Sequence, residues 1–413
     1  MSKTLLLNMI VKNEADIIIE TLTNLCDKIN FSYWVISDTG STDNTKELIK
    51  DFFNKRCIPG ELYEDEWRDF GYNRTKALEH AFNKSDLLMV FDADDQLIGN
   101  FKITQYDFDI YELQFKCETL SFFRNFIINN RRHWKYVGKI HEYLVINDKF
   151  PLKVARIFGE YYINGRSVGA RNKNPRKITE DREMMIKAYN ELKSEDELSI
   201  RYSYHLGLNC ISEKLYDDAI HWFLNVIKLT EGNNSHPDIY TSYMFLSELF
   251  FIHKKNPDYG ILYALKSYSI DNTRLEGISY IMLYYSDKKM YDIVYSYYLL
   301  IKDQVECITG IKNTITYDYI FPCLMIYTSI QLEKPEIIIK MYKQIFSNKV
   351  LLKPYQFDIF IYYFNECLKL IIDKIDITFY NKLREYLIFL EENNVKIRES
   401  FYHNIYDISL INV

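Results

Sequence analysis

The chain has 413 residues, enough for two or three domains that each bury a core. Its formal net charge of −6 at pH 7 argues against a general nucleic-acid binder, because neutralising phosphate groups requires a basic surface. With 13 glycines and 8 prolines the chain has few obligatory turns, which favours long helices over many short strands.

The cysteines and the apolar segments indicate the compartment. Seven cysteines are scattered without a CxxC pair, a pattern typical of reduced thiols in a cytosol-like compartment. No run approaches the roughly 18 apolar residues of a membrane span, and the first residues lack a signal-peptide pattern. We therefore expect a soluble, cytoplasmic protein without a membrane span.

The first 165 residues alternate short apolar runs with helical segments. In chain order we predict a strand at 5–11, a helix at 14–28, a strand at 33–37, helices at 41–54 and 67–82, and a strand at 86–91. The apolar runs are typical of parallel strands that are covered on both faces. This alternation predicts an α/β domain with a mostly parallel sheet, in which ligands bind at the carboxyl ends of the strands.

Helical periodicity prevails after about residue 175. One tetratricopeptide unit of about 34 residues is matched at four positions, Leu206, Gly207, Ala219 and Phe223. Later echoes of this unit are degenerate. We therefore predict a domain at 1–165, a linker at about 166–178, and an all-α helical-repeat domain within 166–413.

Three carboxylates, Asp92, Asp94 and Asp95, follow directly after the strand at 86–91. Like charges this close repel each other unless a cation or hydrogen-bond donors are present. A divalent metal with oxygen ligands, shared with a diphosphate, fits this pattern, and a solvated loop without a ligand is the alternative.

Polar residues also follow the two preceding strands. Lys12, Asn13 and Glu14 follow the first strand, and the run from Ser37 to Asp43 follows the second. Gly40 lets the backbone turn close to a ligand, with Asp38 directed across the strand ends. Polar clusters at three successive strand ends favour a ligand site over ordinary loops.

The chain resembles the family 2 glycosyltransferases with a GT-A fold, particularly those with a tetratricopeptide-like helical extension. Four segments carry the resemblance, in the family's order and spacing: residues 8–14, 37–43, 67–74 and 91–95. The resemblance covers about the first 165 residues. It implies a Rossmann-like, mostly parallel N-terminal sheet and a hexosyltransferase-type enzyme that inverts the sugar's stereochemistry.

The resemblance also implies roles for residues that bind the nucleotide. Asp38 matches the acidic residue that pairs with the base, usually uracil, which implies a UDP-sugar donor; capping of the following turn is its alternative role. Asn13 and Glu14 would line the base and ribose pocket, although Glu14 could equally be an acid in the first turn of a helix.

Further roles concern the diphosphate and the metal. Arg74 resembles the arginine that reaches the diphosphate or the aspartates; a surface ion pair is the alternative. Asp92, Ala93 and Asp94 match the DxD motif, which implies Mn²⁺ or Mg²⁺ bound by Asp94 and Asp92, with Asp94 the stronger candidate.

The candidate catalytic base lies in residues 139–142, which resemble the family's His-Glu segment after an aromatic-rich strand. Glu142 would accept the proton of the acceptor hydroxyl. His141 would orient Glu142, bind phosphate or contact the metal.

One departure from the family concerns the metal. Relatives often carry a His-Gly pair after the last strand of the catalytic domain, where this chain has Asn164 and Gly165. Asn164 is a poorer ligand, so we expect either low metal affinity or compensation by His141. The basic residues that follow form either a lid over the diphosphate or a solvated linker; they are Arg166, Arg171, Lys173 and Arg176.

Two other functions compete with a glycosyltransferase. A nucleotidyltransferase would also use metal-bound carboxylates, but it would normally have a Gly-rich basic loop after the first strand, where this chain has residues 13–16. A helical-repeat scaffold with a degenerate transferase domain is the non-enzymatic alternative. The acceptor is open among glycan, lipid and polypeptide, and we expect the helical half to bind it or to form a homo-oligomer.

Overall fold

The computed structural model describes residues 3–103, 107–146, 150–192, 197–231, 233, 236–302, 312–351 and 354–395. Cys307, one of the seven cysteines, lies outside the described residues. Of the described residues, those up to Asp238, together with Lys312, form one compact unit, and the remainder form a second.

The first unit combines strands and helices. Its strands are β1 (Leu5–Val11), β2 (Tyr33–Asp38), β3 (Gly60–Glu64), β4 (Leu87–Val90), β5 (Asp95–Gly99), β6 (Ile110–Cys117), β7 (Leu120–Asn129), β8 (Trp134–Val137), β9 (Tyr143–Ile146), β10 (Val154–Arg156) and β11 (Tyr161–Gly165). Its helices are α1 (Ile18–Cys26), α2 (Thr45–Arg56), α3 (Phe70–Ala81), α4 (Lys177–Asn190), α5 (Glu197–Ser212) and α6 (Tyr216–Leu229), with a 3-10 turn at Ala170–Lys173.

The main sheet has the strand order β3-β2-β1-β4-β7-β6-β11-β5 among the described residues. The first four strands are parallel to one another, whereas β7 is antiparallel to both β4 and β6, and β5 is antiparallel to β11. Strand β10 pairs in parallel with β6, and β8 and β9 form a separate antiparallel pair. The predicted α/β class is confirmed, and the mixed sheet agrees with the GT-A fold that the resemblance implies.

The packing of strand β1 explains why its sequence is apolar apart from Asn8. Leu7 and Met9 pack on one face of the sheet with Ile18 of α1, while Leu6 packs on the other face with Leu78 of α3. Each fully buried apolar side chain of this size contributes roughly 2 kcal/mol to the free energy of folding. Packing on both faces therefore fixes the positions of the central strands and of the loops at their ends.

The predicted helix boundaries and strands differ from the structure in several places, and helix α3 too begins later than predicted, at Phe70. Helix α1 begins at Ile18, because the chain first turns at Glu14, whose carbonyl accepts the N–H groups of Ile17 and Ile18. Helix α2 begins at Thr45, whose N–H donates to the Asp43 side chain. Strand β3 was not predicted, because a partly buried outer strand lacks a continuous apolar run.

The compact unit extends beyond the boundary predicted at residue 165. Ile140, which lies between β8 and β9, forms one buried cluster with Met185 of α4 and with Leu198, Tyr202 and Leu206 of α5. Gly165 is thus the end of the last strand, while the packing continues through α4, α5 and α6 to Asp238.

The second unit is helical, which confirms the predicted all-α class of the C-terminal half. Its helices are α7 (Pro237–Ile252, whose first two residues belong to the first unit), α8 (Pro257–Ile270), α9 (Glu276–Asp287), α10 (Tyr291–Ile301), α11 (Phe321–Gln331), α12 (Pro335–Ser347), α13 (Pro354–Ile371) and α14 (Ile377–Glu392). Shorter elements are a two-residue strand at Lys312–Asn313, whose first residue belongs to the first unit, a π-helical turn at Thr316–Ile320 and a 3-10 turn at Ile372–Lys374.

Aromatic residues fill the core of the second unit. The buried Tyr342 ring meets Phe360 and Phe364 edge to face, with centroid distances of 5.4 and 5.3 Å. Such edge-to-face pairs stabilise a core beyond the area that they bury. Many of the tyrosines therefore serve packing, and the tetratricopeptide assignment stays a prediction. No helix within the described ranges is long and apolar enough to cross a membrane.

Candidate functional site

The polar segments predicted at three strand ends lie at one edge of the sheet. Strand β1 pairs in parallel with β2 on one side and with β4 on the other, and Val11 of β1 lies opposite Asp38 of β2. The carboxyl ends of all three strands therefore bring Asn13, Asp38 and Asp92 to the same edge.

Hydrogen bonds connect the loops after β1 and β2. The backbone N–H of Asn13 donates to Ser41 Oγ at 2.9 Å, and the N–H of Thr42 donates to Asn13 Oδ1 at 2.7 Å. Asn13 adopts a left-handed backbone conformation with φ of 56°, which asparagine tolerates better than most residues. Its side chain thus orders the loop, and its contact with a nucleotide stays a prediction.

The side chain of Asp38 is 1% exposed, and only one of its two carboxylate oxygens accepts hydrogen bonds from the described residues. Its Oδ1 accepts the N–H groups of Gly40 and Ser41 at 3.0 and 2.8 Å, so the predicted capping role is present. Gly40 has φ of 102°, the reason for a glycine there. Asp38 Oδ2 has no hydrogen-bond partner in the part of the chain that the structure describes. A buried acceptor without a partner is costly, which favours a ligand that donates to it.

A cavity of about 450 Å³ lies beside these loops. Its lining residues come from the ends of β1 and β2, from the start of α3 and from the segment after β11; they include Lys12, Asn13, Glu14, Thr39, Trp67, Phe70, Ala170 and Arg171. The volume is within the usual range for a small-molecule site, and two aromatic rings line it.

Arg74 connects the DxD motif to the candidate base. Its Nη2 lies 2.6 Å from Asp92 Oδ1, and its Nε lies 2.6 Å from Glu142 Oε1. Burial disfavours the charged guanidinium, but Asp92 and Glu142 outweigh this effect and raise the pKa of Arg74. The residue is 9% exposed, so the surface ion pair considered from the sequence is not what the structure shows.

A second arginine, Arg124 of β7, was not identified from the sequence. Its Nη2 lies 3.2 Å from Asp92 Oδ2, and its guanidinium lies over the ring of Phe126 at 5.3 Å. Although burial raises the pKa of Asp92, Arg74 and Arg124 hold it well below its usual range. A lone arginine in an aromatic strand was the available signal, but the strand order that brings it to Asp92 was not predictable.

Asp94, Asp95 and Glu14 form the acidic part of the site. Asp94 Oδ2 accepts the N–H of Gly169 and the side-chain amide of Asn172, both at 3.3 Å. Burial raises the pKa of Glu14 to about 7, with the Ala170 N–H opposing the rise and Asp94 adding to it. Burial also raises the pKa of Asp95, and Asp92 contributes in the same direction. This part of the site therefore favours protons or a cation.

The residues present fit a divalent cation that is shared with a ligand. Within the described ranges no three His, Cys, Asp or Glu side chains form a complete metal cage. Asp94 and the unpartnered Oδ2 of the buried Asp95 are nevertheless the hard oxygen donors that Mg²⁺ and Mn²⁺ prefer, and such ions commonly use only one or two carboxylates beside phosphate. Asp92, also predicted as a metal ligand, is paired with two arginines here. Ala93 is buried between the aspartates, and its carbonyl accepts the Thr21 hydroxyl at 2.6 Å.

The segment after β11 covers the acidic strand ends. The Ala170 N–H donates to the Glu14 carboxylate at 3.2 Å, and Arg166 Nε donates to the Asp94 carbonyl at 3.0 Å. Arg166 and Lys173 also form ion pairs, with Glu20 and Asp16, at 2.6 Å each. Arg171 pairs with Asp181. Asn164 lies in β11, opposite Gln96 of β5.

The candidate catalytic pair is divided between two environments. Glu142 contacts Arg74, whereas the His141 ring stacks on His205 of α5 with a centroid distance of 3.7 Å and an interplanar angle of 4°. Burial, together with the positive charges of Arg201, Arg171 and Lys177, lowers the pKa of His141 to about 4. The imidazole is therefore neutral at pH 7, and a role for it in catalysis stays a prediction.

Residues 8–141 match the family described as Glycosyl transferase family 2. No curated protein matches the chain. Among solved structures, S. aureus TarS 1–349 in complex with UDP-GlcNAc is similar over 64% of this chain and 91% of its own, at 12% identity and a TM-score of 0.35. The mannosyltransferase PcManGT from Pyrobaculum calidifontis, in complex with GDP-Man and Mn²⁺, is similar over 65% and 87%, at 13% identity and a TM-score of 0.34.

Proposed function

We propose, on the premise that residues 8–141 form a family 2 glycosyltransferase domain, that the protein transfers a sugar from a UDP-sugar to an acceptor hydroxyl. One observation carries the proposal. Arg74 joins Asp92 and Glu142 at the same sheet edge where a cavity of about 450 Å³ lies next to the loop of Asp38. One edge of the sheet would thus supply an arginine for the diphosphate, Asp38 for the nucleobase and Glu142 as the proton acceptor.

The nucleoside would occupy the cavity. Trp67 and Phe70 at its wall would contact the base, and the unpartnered Asp38 Oδ2 would accept the N–H of uracil. Glu14 and Asn13 would lie along the ribose. This arrangement supports the nucleotide-binding roles that the resemblance implies.

The diphosphate would lie at the DxD motif. Cleavage of the bond between the sugar and the diphosphate leaves negative charge on the leaving group, and Arg74 and Arg124 are placed to stabilise it. Asp94 would hold Mn²⁺ or Mg²⁺, which when bound supplies further positive charge to the diphosphate. The basic segment 166–176 would close over it.

Glu142 would act as the base. Its carboxylate takes the proton of the acceptor hydroxyl while the hydroxyl oxygen forms a bond to the anomeric carbon and the bond to the diphosphate breaks. A single displacement of this kind inverts the anomeric configuration. Arg74 at 2.6 Å holds the carboxylate in position.

Several finer properties belong to the same proposal. The transferred sugar is a hexose, the acceptor is a glycan, lipid or polypeptide, and the helical half binds this acceptor or another copy of the chain. A cytoplasmic location stays a prediction that rests on the cysteine pattern.

The function is tested by incubating the purified full-length protein with a panel of UDP- and GDP-sugars and Mn²⁺. We expect release of UDP from one or more UDP-sugars, and loss of release in Arg74→Gln. No release from any donor, together with no thermal shift with any nucleotide, would instead support the non-catalytic scaffold.

The location of the site is tested by Asp94→Ala. We expect loss of Mn²⁺-dependent UDP binding with an unchanged circular dichroism spectrum, because the Asp94 carboxylate is less buried than that of Asp95 and is held by two long hydrogen bonds of 3.3 Å. Asp51→Ala, which removes an exposed aspartate of α2, is the matched control. Equal UDP–Mn²⁺ affinity in the two variants would place the site elsewhere.

A further inference from the structure

The loop that carries Glu142 has an unusual backbone. Gly138 and His141 both have positive φ, at 105° and 51°. Glycine adopts such angles freely, but in His141 the Cβ atom crowds the neighbouring carbonyl. A left-handed conformation at a non-glycine residue costs energy, which contacts with the surroundings offset.

Helix α5 supplies those surroundings. Arg201 Nε donates to the carbonyl oxygen of His141, and the His205 ring stacks on the His141 ring at 3.7 Å. Two residues before His141, the Lys139 N–H donates to the Tyr202 hydroxyl at 2.8 Å. Contacts from α5 therefore hold the backbone at residue 139 and both the backbone and the ring at residue 141.

The left-handed turn separates the directions of two consecutive side chains. The ring of His141 packs against α5, while the carboxylate of Glu142 reaches Arg74 at 2.6 Å. With φ at its ordinary negative value, residue 141 would present Glu142 in a different direction. The orientation of Glu142 therefore depends on a conformation that α5 stabilises.

We infer that α5 is a positioning element for the candidate base, with His205 and Arg201 acting through His141. This inference rests on the proposed function, in which Glu142 takes the acceptor's proton. In this role α5 holds the backbone of the loop that carries Glu142 and does not itself contact the substrate.

The test compares His205→Ala with His205→Phe in the full-length protein. With a donor that the wild type cleaves, we expect His205→Ala to lower kcat at least about 10-fold, since misplacing a catalytic group by about 1 Å can cost about 100-fold. The KM for the donor and the affinity for UDP–Mn²⁺ should stay within about 2-fold, because the nucleotide cavity does not include α5. His205→Phe, which keeps a ring to stack on, should restore most of the rate.

A second variant tests the backbone step directly. Adding His141→Gly to His205→Ala should recover part of kcat, because glycine adopts the left-handed conformation without support from α5. Hydrogen exchange at residues 138–142 should increase in His205→Ala and decrease again in His205→Phe. This measurement requires no enzymatic activity.

The outcomes separate this inference from the proposed function. A wild type without donor cleavage contradicts the proposed function, while hydrogen exchange still reports whether α5 holds the loop. An active wild type with an unaffected His205→Ala variant contradicts the inference alone. A parallel loss of kcat and UDP affinity that His205→Phe does not relieve also contradicts it, since general unfolding would explain both. If His205→Ala fails to fold, Arg201→Met takes its place in the same measurements.

Discussion

At the residue scale, two guanidinium groups share the carboxylate of Asp92, and the proposed binding of an anion depends on this arrangement. Arg74 comes from 18 residues earlier in the chain and Arg124 from 32 residues later. One of them, Arg74, also holds Glu142 through its Nε at 2.6 Å. Under the proposed function, a diphosphate would meet two arginines here, whereas a bare acidic cluster would repel it.

Arg124 is the residue whose removal tests this charge balance. We expect Arg124→Gln to weaken UDP binding about 10-fold or more, because a charge-assisted contact to phosphate is lost and Asp92 keeps one partner only. Isothermal titration with UDP and Mn²⁺ measures the effect. Arg131→Gln, which removes the same charge from a more exposed ion pair with Asp86, is the control. Equal affinities in the two variants would show that Arg124 serves only to pack the strand.

At the element scale, the stack of His141 on His205 joins the loop that carries Glu142 to α5 through two neutral rings. Burial lowers the pKa of both residues. Arg201 acts in the same direction on both rings, and Arg171 and Lys177 act so on His141. The unfolded chain has histidine pKa values near 6.5, so below that pH it binds more protons than the folded chain. Stability that is complete above about pH 6.5 is therefore lost as the pH falls toward the folded pKa of His141, about 4.

A double substitution tests this pH dependence. The melting temperature of the wild type should fall more between pH 7 and pH 4.5 than that of His141→Phe/His205→Phe, which keeps the stacked rings without titrating them. Carboxylates that titrate over the same range affect both proteins equally. The exposed His221→Phe variant should behave like the wild type. Identical pH profiles for all three proteins would mean that the stacked pair contributes nothing to the pH dependence.

At the scale of the whole molecule, the compact unit that contains the candidate site ends well beyond its last strand. The cluster around Ile140 buries Met185, Leu198 and Leu206, all of which follow residue 165. Removing these partners would expose the apolar side of the loop that carries Glu142. The helical part up to α6 therefore belongs to the folding of the site.

Truncation tests this organisation. We expect a chain that ends at residue 231, after α6, to fold and to bind UDP–Mn²⁺ with about the affinity of the full chain. A chain that ends at residue 165 should lose cooperative thermal unfolding and nucleotide binding, because the cluster around Ile140 has no partners there. Circular dichroism melting and isothermal titration measure both properties. Full binding by the shorter chain would show that α4 to α6 are dispensable for the site.

Local patterns in the sequence were enough to predict the central strands and the acidic residues that follow them. Strands buried on both faces need continuous apolar runs, so β1, β2 and β4 were recognisable, as were the polar residues that follow them. Arg74 and Asp92 were also identified, because each belongs to a segment that resembles a known family. The tertiary structure alone decided that Arg124 reaches Asp92 and that α5 holds His141. Those contacts join residues 32 and 64 positions apart, and they depend on strand order and helix packing, which leave no periodic signal in the chain.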